Sequence, residues 1–242
     1  MTGSGVMVKY KKIAQDLRHE ILSGDYTPGQ QLELEKDMCG RYGVSRITVR
    51  RAVDELVHQG LVVKRRGAGT FVKSLKDEDV KELGMAHQFS GFAAAFAGHE
   101  VTSEILRFDI IHPQREIAAK LQISPDSFVY DIARVRSVDG CPVVVEYTQM
   151  PIGLIPGIQR SVLESSIYRY IEQELKLHIQ SAHHKVRAVM PAAEEKQELR
   201  ITGDLPLLEI TQVAFLDDGR PFEYSISRHR GDWNSFRSVS IR

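Results

Sequence analysis

Cysteine is scarce: the 242 residues hold two, Cys39 and Cys141, with no Cys-x-x-Cys spacing and no third thiol. That argues against a disulfide-stapled scaffold and fits a reduced, cytoplasmic setting. Long hydrophobic runs are lacking too. The longest small-apolar stretch, Phe92 to Ala97, is far too short to cross a bilayer, and Met1 to Val8 lacks the charged start and apolar core of a signal peptide. No membrane partner is expected. Catalytic signatures are missing as well, with neither a Gly-x-Ser-x-Gly elbow nor a phosphate-binding loop. His183 and His184 are adjacent, so on a strand they face opposite sides, and His178 stands alone; they read as surface or satisfied core histidines. No metal site, catalytic group or cofactor is implied. Net charge is also absent, with 32 Lys and Arg against 32 Asp and Glu, so no overall field selects a polyanion.

The distribution of that charge is informative. Through Leu75 there are 13 basic and 8 acidic residues, so a head of +5 precedes a body of −5. Nucleic-acid contact confined to the head is the reading this split suggests. A hydrophobic share of 42% with 26% charged excludes disorder and supports a packed core, in one large or two modest domains.

In the head, Ile13, Leu17 and Ile21 recur as a helical stripe that Gly24 stops. A second helix is predicted over Leu34 to Arg41. A third, capped by Ser45, places Val49, Ala52, Val53 and Leu56 on one face. Two short β segments, Leu61–Lys64 and Thr70–Val72, flank the basic tip from Lys64 to Gly69. A recognition helix must bury one face and offer the other to the major groove. Here Ser45, Arg46, Thr48, Arg50 and Arg51 crowd the first two turns. Arginine's fork suits guanine or phosphate, and the hydroxyls suit phosphate. A solvated charged helix is the ordinary alternative, but helix, wing and regional charge agree on DNA.

Tyr10 through Val72 resembles the winged helix-turn-helix of GntR-type bacterial regulators. The matching stretches include Gly43-Val44-Ser45-Arg46-Ile47-Thr48-Val49-Arg50, Gly60-Leu61-Val62 and Gly67-Ala68-Gly69-Thr70-Phe71-Val72. The resemblance implies Lys36, Ser45, Arg46, Thr48, Arg50, Arg66 and Gly67 as contacts to double-stranded operator DNA. One departure stands out: the family's Leu-Pro-Ser-Glu reads Leu32-Glu33-Leu34-Glu35 here, so the capping Ser of the second helix is missing.

The charged segment from Lys73 to Leu83 reads as a linker. Beyond it come β-rich runs at Val101–Ile111, Phe128–Val138, Val143–Met150, His183–Val189, Leu207–Leu216 and Phe222–Arg230. Helices are predicted at Phe92–Ala97, Gln114–Leu121, Val162–Leu175 and Ala193–Leu199. This mixture predicts an α+β body on a largely antiparallel sheet. Asp139-Gly140-Cys141-Pro142 is echoed by Asp218-Gly219-Arg220-Pro221, each ahead of a strand carrying Glu-Tyr, which hints at two pseudo-equivalent halves around one site.

Arg134 and Arg136 are two apart on a strand and so share a face with Tyr130, Ile132 and Val138. Two arginines among apolar neighbours need an anion, either a ligand or an internal carboxylate such as Glu146 or Glu223. A two-residue Asp139-Gly140 turn would put Glu146 on the opposite face from Arg134; a three-residue loop with Gly140 left-handed would put both on one face.

This half resembles the UTRA effector domain of the HutC-like branch, a fold similar to chorismate lyase. The likeness rests on Phe89-Ser90, Arg134-Val135-Arg136, Glu146, Ser166-Ile167-Tyr168, Pro221-Phe222-Glu223-Tyr224-Ser225 and Arg230-Gly231-Asp232. The family pattern requires the three-residue loop. Effector contacts are then expected from Phe89, Ser90, Gly91, Arg134, Arg136, Glu146, Ser166, Tyr168, Glu223 and Ser225. Where the family often has an aromatic before Arg-Gly-Asp, this chain has His229.

The resulting expectation is a winged helix-turn-helix over 1–72, a linker over 73–87 and a chorismate-lyase-like antiparallel sheet domain over 88–242. The function expected is a DNA-binding repressor released by a small anionic effector such as a phosphorylated sugar. Homodimerisation is expected through the body, with Val162, Leu163, Ile167 and Ile171 offering an apolar helix face. A lyase-like enzyme with an accessory head is the alternative; a recognition helix with a wing speaks against it.

Overall fold

The structure is a computed structural model that describes residues 9–74, 92, 96 and 98–233. These fall into two compact units, residues 9–74 and residues 92–233. Residues 75–87 of the expected linker, and residues 93–95 and 97 of the expected Phe92–Ala97 helix, lie outside the described residues.

In the first unit, α1 (Lys9–Ser23), α2 (Glu35–Tyr42) and α3 (Arg46–His58) precede the hairpin of β1 (Val62–Arg65) and β2 (Gly69–Val72). Ile13, Leu17 and Ile21 of α1 pack with Met38 and with Val49, Ala52, Val53 and Leu56 of α3 in one buried cluster. Leu34 occupies the N-cap of α2 and offers no side-chain bond, as expected from the missing Ser. Glu35 and Asp37 sit in that first turn, where carboxylates complement the helix dipole. Gly43 ends α2 in the left-handed region at φ 61°, and the Val44 amide returns to the Cys39 carbonyl at 3.2 Å. That tight exit delivers the chain to Ser45 and the start of α3.

The second unit is built on a six-stranded antiparallel sheet. Its elements are β3 (Val101–Ile111), α4 (Arg115–Lys120), β4 (Val129–Val138), β5 (Cys141–Pro151), α5 (Arg160–Glu164), α6 (Ile167–Gln173), β6 (Ile179–Val189), α7 (Ala193–Glu198), β7 (Leu207–Leu216) and β8 (Pro221–Arg230). The strand order is β3-β4-β5-β8-β7-β6. A strand–helix–strand–strand unit therefore occurs twice, and the two copies join at β5 and β8.

The repeat extends to local detail. Gln122 and Arg200, just past α4 and α7, both take left-handed backbone at φ 53° and 51°. Each is followed by an isoleucine whose amide returns to the helix: Ile123 to Ala118 at 3.0 Å, and Ile201 to Lys196 at 2.8 Å. The echo between the Asp-Gly hairpins is thus part of a longer repeat that also includes Leu121-Gln122-Ile123 and Leu199-Arg200-Ile201.

The β4–β5 hairpin keeps a two-residue turn and still brings Arg134 and Glu146 face to face. Val138 pairs with Cys141 and Ser137 with Pro142, but Arg136 pairs with Val144 and Arg134 with Glu146. Asp139 and Gly140 both have positive φ, 49° and 76°, as a type I′ turn requires. The shift comes from a bulge that leaves Val143 as the extra residue, so the expected three-residue loop is not the cause. The second hairpin bulges at the same place: Phe215 pairs with Pro221, Ala214 with Glu223, and Phe222 is left over. In both, the bulged residue follows a proline, which has no N–H to give the ladder.

The expected single helix over Val162–Leu175 is two helices. Ser165 breaks it at φ −107°, ψ −112°, and the Ser166 side chain caps α6 by accepting from the Arg169 amide at 3.3 Å. Consecutive serines compete with helical hydrogen bonds and favour such a restart. The helix face offered for dimerisation is also corrected: Leu163, Ile167 and Ile171 are buried with Tyr130, Ile132, Met150, Ala214, Leu216 and Phe222, and Val162 packs partly buried against them. That face belongs to the unit's own core. On the other side of the sheet, Val135, Val145, Leu199, Ile201 and Leu207 form a second cluster.

Candidate functional site

In the first unit, Ser45 caps α3. Its Oγ lies 3.4 Å from the Thr48 amide and 3.0 Å from Thr48 Oγ1, so both hydroxyls lie at the helix start. Arg46 and Arg50 are exposed on α3, Lys36 on α2, and Arg66 at the hairpin tip. Gly67 takes φ 74° in that tip, where a side chain would be strained. Neighbouring arginines differ in their surroundings. Arg50 Nε donates to Glu35 Oε2 at 2.9 Å, Arg51 lies over the Tyr10 ring at 5.2 Å, and Arg65 over Phe71 at 4.7 Å. The Arg50–Glu35 pair joins α2 to α3, and no local periodicity reveals it.

In the second unit, one face of the sheet gathers Arg134, Arg136, Glu146 and Glu223. Arg134 Nε donates to Glu146 Oε2 at 2.8 Å and Arg134 Nη1 to the Leu163 carbonyl at 3.0 Å. Arg136 is less well placed. Its side chain is 3% exposed, its Nη1 stands 3.8 Å from Glu146 Oε2, and its buried Nε has no hydrogen-bond partner among the described residues. Its guanidinium lies 4.8 Å from the centre of the Phe92 ring. Burial pushes the Arg136 guanidinium down to about 10, outweighing the pull of Glu146. Burial pushes the Glu146 carboxyl up, but the two arginines outweigh that and leave it below the usual carboxylate range. One carboxylate is therefore shared by two buried cations, and the better geometry goes to Arg134.

Further along the same face, Glu223 Oε1 accepts from Ser225 Oγ at 2.7 Å and from Gln212 Nε2 at 2.8 Å. Gln212 also donates to Tyr168 Oη at 2.9 Å, and its carbonyl oxygen meets His184 Nε2 at 2.6 Å. Burial raises the Glu223 carboxyl, and the charge of Glu146 adds to it. Burial also raises the Tyr168 phenol well above its ordinary value. His229, placed opposite Val144 across the β5–β8 ladder, is pushed down to about 4 by burial.

Of the expected effector residues, the fold gathers Arg134, Arg136 and Glu146 into one cluster and Tyr168, Glu223 and Ser225 into another on the same face. The field of Glu146 reaches both Tyr168 and Glu223. Ser166 is engaged as a helix cap. Phe89, Ser90 and Gly91 lie outside the described residues. Gln212 is a member of the second cluster that strand periodicity alone does not mark; its cross-strand pairing with Ser225 reveals it.

The opposite face carries a separate closed network. Glu209 accepts from Arg187 at 2.6 Å and Arg228 at 2.9 Å, while Glu195 accepts from Arg228 at 2.6 Å and Tyr147 at 3.0 Å. These charges are mutually satisfied and hold α7 on the sheet. Among the described residues, no group of three His, Cys, Asp or Glu could hold a metal ion, and no helix is long and apolar enough to cross a membrane.

The model of the bacterial regulatory proteins of the gntR family matches residues 9–72, and that of the UTRA domain matches residues 97–233. The HTH-type transcriptional regulator GmuR of Bacillus subtilis (strain 168) is 38% identical over 238 residues, covering 98% of this chain and 100% of that protein. The mannosyl-D-glycerate transport/metabolism system repressor MngR of Escherichia coli (strain K12) is 33% identical over 236 residues, covering 96% of each. Among solved structures, the possible transcriptional regulator YydK of Bacillus subtilis subsp. subtilis str. 168 shares the fold at a TM-score of 0.75 and 24% identity, covering 97% of this chain and 100% of that one.

Proposed function

Since the chain belongs to the bacterial GntR family of regulatory proteins and carries a UTRA domain, we propose that this transcription regulator is a repressor released from its operator by a small anionic effector, foremost a phosphorylated sugar. GntR regulators bind operator DNA and small-molecule effectors, and the chain is a regulator rather than an enzyme. The observation that carries the finer reading is Arg136: a buried guanidinium whose Nε has no partner among the described residues, beside a carboxylate already bonded to Arg134. A buried cation without a full partner is costly, and an anionic ligand would supply the missing acceptor. The name of MngR, a repressor of a mannosyl-D-glycerate system, supports a sugar derivative bearing an anion.

Contacts to DNA are assigned to Lys36, Ser45, Arg46, Thr48, Arg50, Arg66 and Gly67. Contacts to the effector are assigned to Phe89, Ser90, Gly91, Arg134, Arg136, Glu146, Ser166, Tyr168, Glu223 and Ser225, with Gln212 joining them. Head, linker and body take the limits 1–72, 73–87 and 88–242, and the working form is a cytoplasmic homodimer. The test is a DNA-binding titration with and without phosphorylated sugars. An effector should shift operator affinity by a coupling of roughly 1–3 kcal/mol. Arg136→Ala should abolish that shift and leave binding of the apo protein near normal. A full response in Arg136→Ala would overturn the assigned effector site.

A further inference from the structure

Ile47 is the most exposed of the large apolar side chains among the described residues, at 73%. A single exposed aliphatic is ordinary on a protein surface, so its position matters more than its exposure. It is the second residue of α3, between Arg46 and Thr48. Two residues before the buried Val49, it lies about 160° round the helix from the core stripe. It therefore stands near the middle of the outward face, flanked by Arg46 and Arg50 on one side and Arg51 on the other.

Two further features hold that position open and defined. The Ser45 cap anchors the first turn, and a β-branched side chain in a helix keeps one dominant χ1 rotamer. Two of the three flanking cations are drawn aside: Arg50 Nε is held by Glu35 at 2.9 Å, and the Arg51 guanidinium lies over Tyr10 at 5.2 Å. What remains at the centre of the first turn is aliphatic. Arg50, with its Nε engaged, keeps a side chain that is 63% exposed.

Among the base edges of the major groove, the apolar feature is the 5-methyl group of thymine. We propose that Ile47 is a specificity-determining residue that reads a thymine methyl in the operator, beside the bases or phosphates that the α3 arginines take. This rests on the DNA-binding reading of the head. Withdrawing one methyl group from contact is worth about 0.8 kcal/mol, or about fourfold in Kd per half-site.

The full chain is used to enrich binding sequences from a random duplex library. In the enriched duplex each thymine is replaced in turn by deoxyuridine, which removes only the methyl group. At one thymine per half-site the replacement should weaken the wild type about fourfold and leave Ile47→Ala unaffected, while Ile47→Val keeps part of the penalty. Melting temperatures should be unchanged, because the side chain is exposed. The proposal is overturned if the wild type is indifferent to every replacement, or if Ile47→Ala keeps the same penalty at the same base. If no sequence is enriched at all, the DNA-binding reading fails as well; enrichment without a methyl effect removes this proposal alone.

Discussion

Arg134 and Arg136 stand two residues apart on one strand, and exchanging each for methionine should move stability in opposite directions. In Arg136→Met the flexible aliphatic side chain keeps most of the volume and removes a guanidinium whose Nε is buried without a partner among the described residues. An unsatisfied buried donor costs about 1–3 kcal/mol. The lost stacking over Phe92, 4.8 Å from ring centre to guanidinium, returns about 0.5–1 kcal/mol of that. The net expectation is a change between nothing and a gain of about 2.5 kcal/mol, with Glu146 still bonded to Arg134. Arg134→Met does the reverse. It removes the 2.8 Å bond to Glu146 and the 3.0 Å bond to the Leu163 carbonyl. Glu146 is left with Arg136 at 3.8 Å, a broken buried pair that costs about 3–5 kcal/mol. Thermal unfolding of the two ligand-free variants measures this, at roughly 2–4 °C for each kcal/mol in a chain of this size. If Arg136→Met melts as far below the wild type as Arg134→Met does, Arg136 is a structural strut and the case for an anionic ligand there collapses.

Acid should destabilise the body partly through His229. Its folded pKa of about 4 lies below the ordinary 6.5, so the folded state binds fewer protons and its contribution, present above pH 6.5, is lost as pH falls toward 4. Glu146, also lowered, acts in the same direction below 4.5, whereas the raised Glu223 opposes it. Between pH 7 and 5, His229→Gln should therefore lose less melting temperature than the wild type; equal losses would remove His229 from the account. Glu35→Gln weakens the tether on Arg50 and removes a negative charge beside the proposed DNA contacts. Binding to random duplex should rise while discrimination for the operator falls by about 0.5–1.5 kcal/mol, as competition assays read it. An unchanged specificity ratio would show that Arg50 needs no such support. Gly67→Ala forces a side chain into a left-handed backbone at about 1–2 kcal/mol, so operator affinity should drop with the wing's geometry. Unaltered affinity would mean that the tip does not engage DNA.

Local sequence determined the parts of this protein whose causes are local. The stripe Ile13, Leu17, Ile21 and the face Val49, Ala52, Val53, Leu56 follow from helical period, and the Ser45 cap from a hydroxyl that accepts the Thr48 amide. Strand period alone put Arg134 and Arg136 on one face. What needed the tertiary structure is everything set by pairing between distant segments. Asp139-Gly140 is a sound two-residue turn, and from it Glu146 would face away from Arg134; the bulge at Val143 reverses that, because Pro142 offers the ladder no donor. Val162, Leu163, Ile167 and Ile171 read as an open apolar face until the sheet is folded beneath them. Gln212 joins Tyr168 to Glu223 through contacts 44 and 11 residues apart. Arg136 is the clearest case: composition says that two arginines need an acceptor, but only the placed carboxylate, nearer one than the other, leaves a particular Nε without a partner. A one-residue change of register alters such distances wholesale, and neighbours along the chain do not encode it.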